Sequence, residues 1–161
     1  MAIYLKYGAG PDITGDVQPD NYKGYIGLNS FQWGAGRGID NTNSSDADRE
    51  NTIPSVSEIV VTKRMDGSSP GLWTDSVAGQ LNTTVKISFT TTSKGATTEF
   101  LNYELTNTGL SGYSLSSGGD MPTESLSLNF TKVVWSFTGT DPSVSGTPVT
   151  QGYDLTLAKT T

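Results

Sequence analysis

The residues best placed to do chemistry lie in one polar stretch, DNTNSSDADREN at residues 40–51. Asp40, Asp46, Asp48 and Glu50 supply hard oxygen ligands of the kind that bind Ca2+ or Mg2+. Their spacing is not that of an EF-hand, and the glycine that makes its sharp turn is missing. A solvated acidic loop is the plainer reading. Just before it, Gly34-Ala35-Gly36-Arg37-Gly38 has the look of a phosphate-cradling turn. It lacks the third glycine at the required spacing, and a polar loop rather than a helix follows. A flexible elbow feeding a long loop is the simpler account.

Other chemistry has less to work with. The chain has no histidine and no cysteine, which removes the commonest general base and metal ligand, together with disulfides and thiolate chemistry. A serine nucleophile would need another base, and no motif supports a Ser–Lys pair. Asp and Glu are numerous enough to meet in space as a glycosidase-type pair, but no spacing singles one out. Trp33, Trp73 and Trp135 could stack on a sugar; each stands in an apolar alternation, which favours core packing. No catalytic residue, metal or cofactor is expected.

The elements that must position these residues are strands. At 161 residues the chain suits one domain, residues 1–161, large enough for a real core. Nineteen glycines and seven prolines among abundant Ser and Thr predict many short strands joined by turns. The apolar fraction of 34% is low for a globular monomer, so part of the burial is expected to come from neighbouring subunits. The net charge of −6, with scattered basic residues, argues against a nucleic-acid or anionic-membrane partner. The opening MAIYLKYGAG lacks a basic segment followed by an apolar run. No stretch approaches the ~20 apolar residues of a membrane span. The expectation is a chain that folds in the cytoplasm and, if it leaves the cell, does so without a cleaved signal.

Along the chain, residues 2–7 alternate Ile3, Leu5 and Tyr7 against Tyr4 and Lys6 and read as a first strand. Residues 8–21 form a turn-rich loop, and 24–33 a second strand with imperfect alternation. Residues 34–51 lack apolar periodicity; a loop that long is usually functional or disordered. A strand follows at 55–64. Residues 68–79 are the one good helix candidate, with Ser69 as cap, Pro70 in the first turn, Gly79 as stop, and Leu72, Trp73, Ser76 and Val77 on one face. Strands are expected at 83–89, at 100–105 continuing through 110–115, and at 149–157. The most telling stretch is 121–137, MPTESLSLNFTKVVWSF. Leu126, Leu128 and Phe130 carry one face, then the phase slips at Lys132–Val133 and Val133, Trp135 and Phe137 carry it. A slip of that kind needs a bulge or bend, as when a sheet curves into a barrel or a strand changes partners.

Four of these stretches together resemble the haemolysin-coregulated protein (Hcp) family, the tube subunit of bacterial type VI secretion. Residues 26–37, IGLNSFQWGAGR, resemble the family's strand ending in an aromatic–x–Trp–Gly turn. Residues 57–72, SEIVVTKRMDGSSPGL, resemble its strand running through Lys–x–x–Asp–x–Ser–x–Pro–x–Leu into a helix. Residues 122–134, PTESLSLNFTKVV, resemble its kinked Thr–Glu strand, and 149–155, with Gly152-Tyr153-Asp154, its closing strand. The match runs in order over roughly residues 1–157.

The resemblance implies a mainly β fold: a β-barrel of two curved antiparallel sheets with one short helix packed on the side. It implies a structural, non-enzymatic protein that forms homohexameric rings stacked into a hollow tube. Such a tube assembles in the cytoplasm with the sheath and spike tip as partners. The apparatus then secretes it, some members carrying small effectors in the lumen. The loop after Trp33-Gly34 would reach a neighbouring ring, which makes Gly34, Arg37, Asp40, Asp46, Asp48, Arg49 and Glu50 candidate inter-ring residues. The DADRE segment departs from the mostly Gly and Ser composition of many relatives. The alternative is a monomeric β-sandwich module binding carbohydrate or a protein ligand through Tyr4, Tyr22 or Tyr113. A carboxylate-based hydrolase is a third reading.

Overall fold

The computed structural model describes residues 1–8, 13–39, 53–139 and 146–161. Among the described residues, the chain is built of antiparallel strands and one α-helix. The first strand, β1 (Ala2–Tyr7), coincides with its predicted bounds. A short 3-10 turn at Asp20–Tyr22 follows. The predicted strand at 24–33 is two strands, β2 (Ile26–Leu28) and β3 (Ser30–Gln32). They join different sheets: β2 pairs with β1, and β3 with β6 (Ile59–Arg64). The imperfect alternation reflects this turnover at Asn29, whose N–H bonds the Thr62 carbonyl at 2.7 Å.

Two-residue strands β4 (Ala35–Gly36) and β5 (Ser55–Val56) precede β6, so the predicted 55–64 strand breaks at Ser57-Glu58. After the helix, α1 (Ser69–Ala78), come β7 (Thr83–Ser93) and a single 21-residue strand, β8 (Ala96–Ser116). They are joined by a tight turn with Lys94 and Gly95 at positive φ. The kinked stretch resolves into β9 (Thr123–Asn129) and β10 (Lys132–Phe137), breaking at Phe130-Thr131, two residues before the predicted slip. The last predicted strand is shorter, β11 (Val149–Asp154), and a turn folds β12 (Lys159–Thr160) back beside it. That turn is held by the Asp154 carboxylate, which accepts the Thr156 N–H at 2.9 Å and the Leu157 N–H at 3.1 Å.

Followed through its ladders, the chain makes a circuit. β1 pairs with β2, which continues into β3; β3 pairs with β6, β6 with β9, β9 with β8, β8 with β7, and β7 with β1. This is the arrangement of two curved sheets that share β8. β10, β11 and β12 extend the β7–β8 side beyond the circuit. β8 passes between sheets near Asn107, which takes a left-handed φ of 49°. The β7–β8 and β8–β9 ladders each shift register, which bends the strands.

The interior is apolar: Leu5, Ile26, Ile59, Val61, Leu72, Val85, Ile87, Leu105, Leu126, Leu128 and Val133 form one cluster, each 1% exposed or less. Each such side chain contributes about 1.5–3 kcal/mol of transfer free energy.

The helix packs differently from its predicted face. Ser68, not Ser69, is the N-cap residue, and Leu72 is buried, but Trp73 and Val77 are 53% and 65% exposed. Two polar anchors set this rotation. The Tyr7 hydroxyl donates to Asp75, and Ser69 is tied into a buried ionic cluster. Together they turn Ser69, Leu72 and Asp75 toward the sheets and Trp73 outward.

Candidate assembly surface

The chain on either side of residues 40–52 is joined by a small ladder. Ala35 pairs with Val56 and Gly36 with Ser55. Ser57 clamps its base: the Gly34 N–H donates to Ser57 Oγ at 2.9 Å, and Ser57 Oγ and N–H donate to the Gly34 carbonyl at 2.8 and 2.9 Å. The segment predicted as a flexible elbow is therefore a paired, hydrogen-bonded root, and no phosphate-type turn forms at 34–38. Gly34 and Arg37 are exposed on it, and Ile39 and Ile53 present apolar side chains, 52% and 75% exposed, on the outgoing and returning limbs. Asp40, Asp46, Asp48, Arg49 and Glu50 lie outside the described residues.

Below the helix lies a cluster that the sequence reading missed. Lys63 and Glu124 are fully buried and paired across β6 and β9, Nζ to Oε2 at 2.6 Å. Lys63 also reaches Asp66 at 2.9 Å and Ser69 Oγ at 3.1 Å, while Ser69 Oγ donates to Glu124 Oε2 at 2.9 Å. The Tyr113 hydroxyl donates to Oε1 of the same carboxylate. Burial, then this bond, pushes the Tyr113 hydroxyl up to about 12. Burial and the bond to Asp75 raise Tyr7 as well. The signal was in the alternation: Lys63 continues the inward series Ile59, Val61, and Glu124 begins the inward series Leu126, Leu128. The β6–β9 register sets these two inward charges directly opposite each other. The cluster is closed to solvent at its centre and joins β6, β9, β8 and α1, so its work is structural.

The aromatic residues are largely occupied in packing. Tyr22, proposed as an exposed binding residue, is buried, stacks on Tyr4 at 4.8 Å and meets Tyr25 edge-on at 5.3 Å. Burial, and next the charge of Glu99, raises its hydroxyl to about 12. Tyr113 is half-buried over Glu124. Trp33 and Trp135 are half-buried, both against Tyr103, with Phe31 and Phe89 completing the group. Trp73 is the tryptophan that the core does not take. Among the described residues no helix is long and apolar enough to cross a membrane.

What this fold and surface resemble is specific. A family model described as "Type VI secretion system effector, Hcp" matches residues 4–137. A solved structure of a type six secretion system protein is 28% identical, covers 99% of both chains and superposes with a TM-score of 0.86. Hcp1 from Salmonella typhimurium is 22% identical over 99% of this chain and 98% of its own, with a TM-score of 0.75. A type VI secretion system effector from Yersinia pestis is 17% identical over 94% and 98%, with a TM-score of 0.72. No curated protein matches the chain.

Proposed function

Since this chain belongs to the Hcp family and is a type VI secretion tube subunit, we propose that it works as a single domain closing into homohexameric rings. The rings stack into a hollow tube, which the sheath surrounds and the spike tip caps. The apparatus then drives the tube out of the cell, with small effector proteins carried in the lumen. The work is mechanical and the chain performs no catalysis. The family match over residues 4–137 carries this reading. Two features of the subunit support it: exposed apolar side chains on several elements, and a hydrogen-bonded root on either side of residues 40–52. Tyr4, Tyr22 and Tyr113, the aromatics named for a monomeric binding module, are engaged within the fold, Tyr4 stacked on Tyr22 and Tyr113 bonded to Glu124.

The loop rooted at Gly34 and Arg37 reaches the adjacent ring, where Asp40, Asp46, Asp48, Arg49 and Glu50 form salt links or set a repulsion that keeps stacking reversible. Exposed ion pairs are individually weak, about 0–1 kcal/mol, which suits a tube that must be dismantled. Light scattering after size exclusion should give a mass near six subunits; a monomer at high concentration would reject the ring. Deleting residues 40–50 should leave that mass intact and shorten or abolish tubes in electron micrographs. Tubes of unchanged length would remove the loop from ring stacking.

A further inference from the structure

Apolar burial holds α1 only lightly. Ser69 and Leu72 are its buried residues, and Leu72 is the one that joins the core cluster. Trp73 and Val77 face solvent. The hydroxyls of Thr74 and Ser76 turn back onto the helix's own Pro70 and Trp73 carbonyls. Polar contacts supply the rest of the attachment. Tyr7, itself 4% exposed, donates its hydroxyl to Asp75. Ser69 Oγ accepts from Lys63 Nζ at 3.1 Å and donates to Glu124 Oε2 at 2.9 Å. The first turn of α1 thus lies directly over the buried ion pair.

The unit that rests on these contacts has clear ends. Gly67 precedes the helix and Gly79 ends it. Beyond it, the Leu81 side chain sits on β8 where a Cβ at Gly109 would collide with it, which re-anchors the chain. Asp75 is the single charged residue of α1, so no i,i+4 ion pair supports it. A helix shorter than about 12–15 residues is marginal in water, so undocking and unfolding of α1 are one event. Two effects ease that event. Water returns to Lys63 and Glu124, whose burial is costly, and this offsets part of the contacts given up. The ladders beneath also stay whole, because β6–β9 and β8–β9 pairing uses no residue of α1.

We propose that α1 is a lid that opens as a unit over the Lys63–Glu124 pair while both sheets stay folded, making Lys63 a gated amine. Closed, the lid keeps Lys63 at 0% exposure. Open, it presents the amine, Glu124 and the seat of Leu72 to solvent. An acyl group on Nζ removes the charge that Glu124 pairs with, so the lid does not re-close over a modified Lys63. The inference rests on the fold of the subunit and is independent of its assembly into rings.

The test is amide hydrogen exchange, read by mass, on the full chain and its Tyr7→Phe and Ser69→Ala variants in zero to low urea. Each variant removes one polar anchor and leaves Lys63 and Glu124 paired. Amides of residues 72–79 should exchange at least tenfold faster than those of β6 and β9, with little urea dependence, as local opening requires. Each variant should speed them at least tenfold further and leave β6 and β9 unchanged. A second readout is acetylation by N-hydroxysuccinimidyl acetate, in which Nζ displaces N-hydroxysuccinimide from the acyl carbon and loses a proton to solvent. Lys63 should react more slowly than the exposed Lys6 and faster in both variants. If residues 72–79 exchange in step with β6 and β9, with the same urea dependence, α1 opens only in global unfolding and the lid is overturned. Variants that speed every segment alike overturn it as well, and so does Lys63 acetylation that neither variant changes.

Discussion

The Lys63–Glu124 pair shows how two residues can matter more to each other than to the total stability. Both are fully buried, so each would be an isolated charge without its partner. Lys63→Met should cost about 3–5 kcal/mol in urea unfolding, and the double variant with Glu124→Met should recover much of that loss. Additive losses would mean that the pair is not coupled. Tyr113 adds a pH signature. Its hydroxyl lies at about 12 in the fold against an ordinary 10.0. A folded value above the unfolded one means that the stabilisation is complete below pH 10 and is lost as pH rises toward 12. Tyr113→Phe should therefore flatten the fall of unfolding free energy across that window. An unchanged slope would separate the hydroxyl from Glu124 in solution. The flattening is partial, because the Tyr22 and Tyr7 hydroxyls are raised as well.

At the scale of elements, three stretches of chain each serve two sheets: β2 into β3, β8 along its length, and β9 into β10. Each passage has a local device. Asn29 donates across to Thr62, Phe130 is buried at the break while Thr131 bonds the Thr106 carbonyl, and Asn107 turns β8 with a left-handed φ. That conformation is open to Asn and Gly but costs a β-branched residue about 1–2 kcal/mol. Asn107→Val should lower the urea midpoint accordingly, and Asn107→Gly should lower it much less. Equal losses would instead point to the Asn107 side chain, whose Nδ2 bonds Thr131 Oγ1 at 3.3 Å. The helix is fixed by Ser69 and Asp75, which explains why its largest side chain, Trp73, is left outside.

For the whole molecule, the apolar surface left uncovered matters as much as the core. A chain with 34% apolar residues fills one interior and still exposes Phe137, Val149, Trp73 and Val77. Spare surface of that kind is expected of a subunit whose burial is completed by its neighbours.

Much of this was legible from residue order. Period-2 alternation marked β1, β6, β7 and β9, because a half-buried strand must alternate to keep one face dry. The phase slip at Lys132–Val133 called for a bulge, a bend or a change of partner for the same reason, and the structure makes the break at Phe130-Thr131. Proline and glycine bracketed the helix α1, and the strand motifs pointed to the Hcp family. What the tertiary structure decided were the questions of pairing. Alternation assigns two faces to a strand but no neighbour, so it could not divide residues 24–33 between sheets or separate β12 from β11. Helical periodicity gives a face only when apolar burial alone orients the helix; here hydrogen bonds to Tyr7 and Glu124 rotated it. The inward positions of Lys63 and Glu124 were visible in sequence, but not that the two lie opposite each other. Opposition depends on the register of strands some sixty residues apart, and register is set by the fold as a whole.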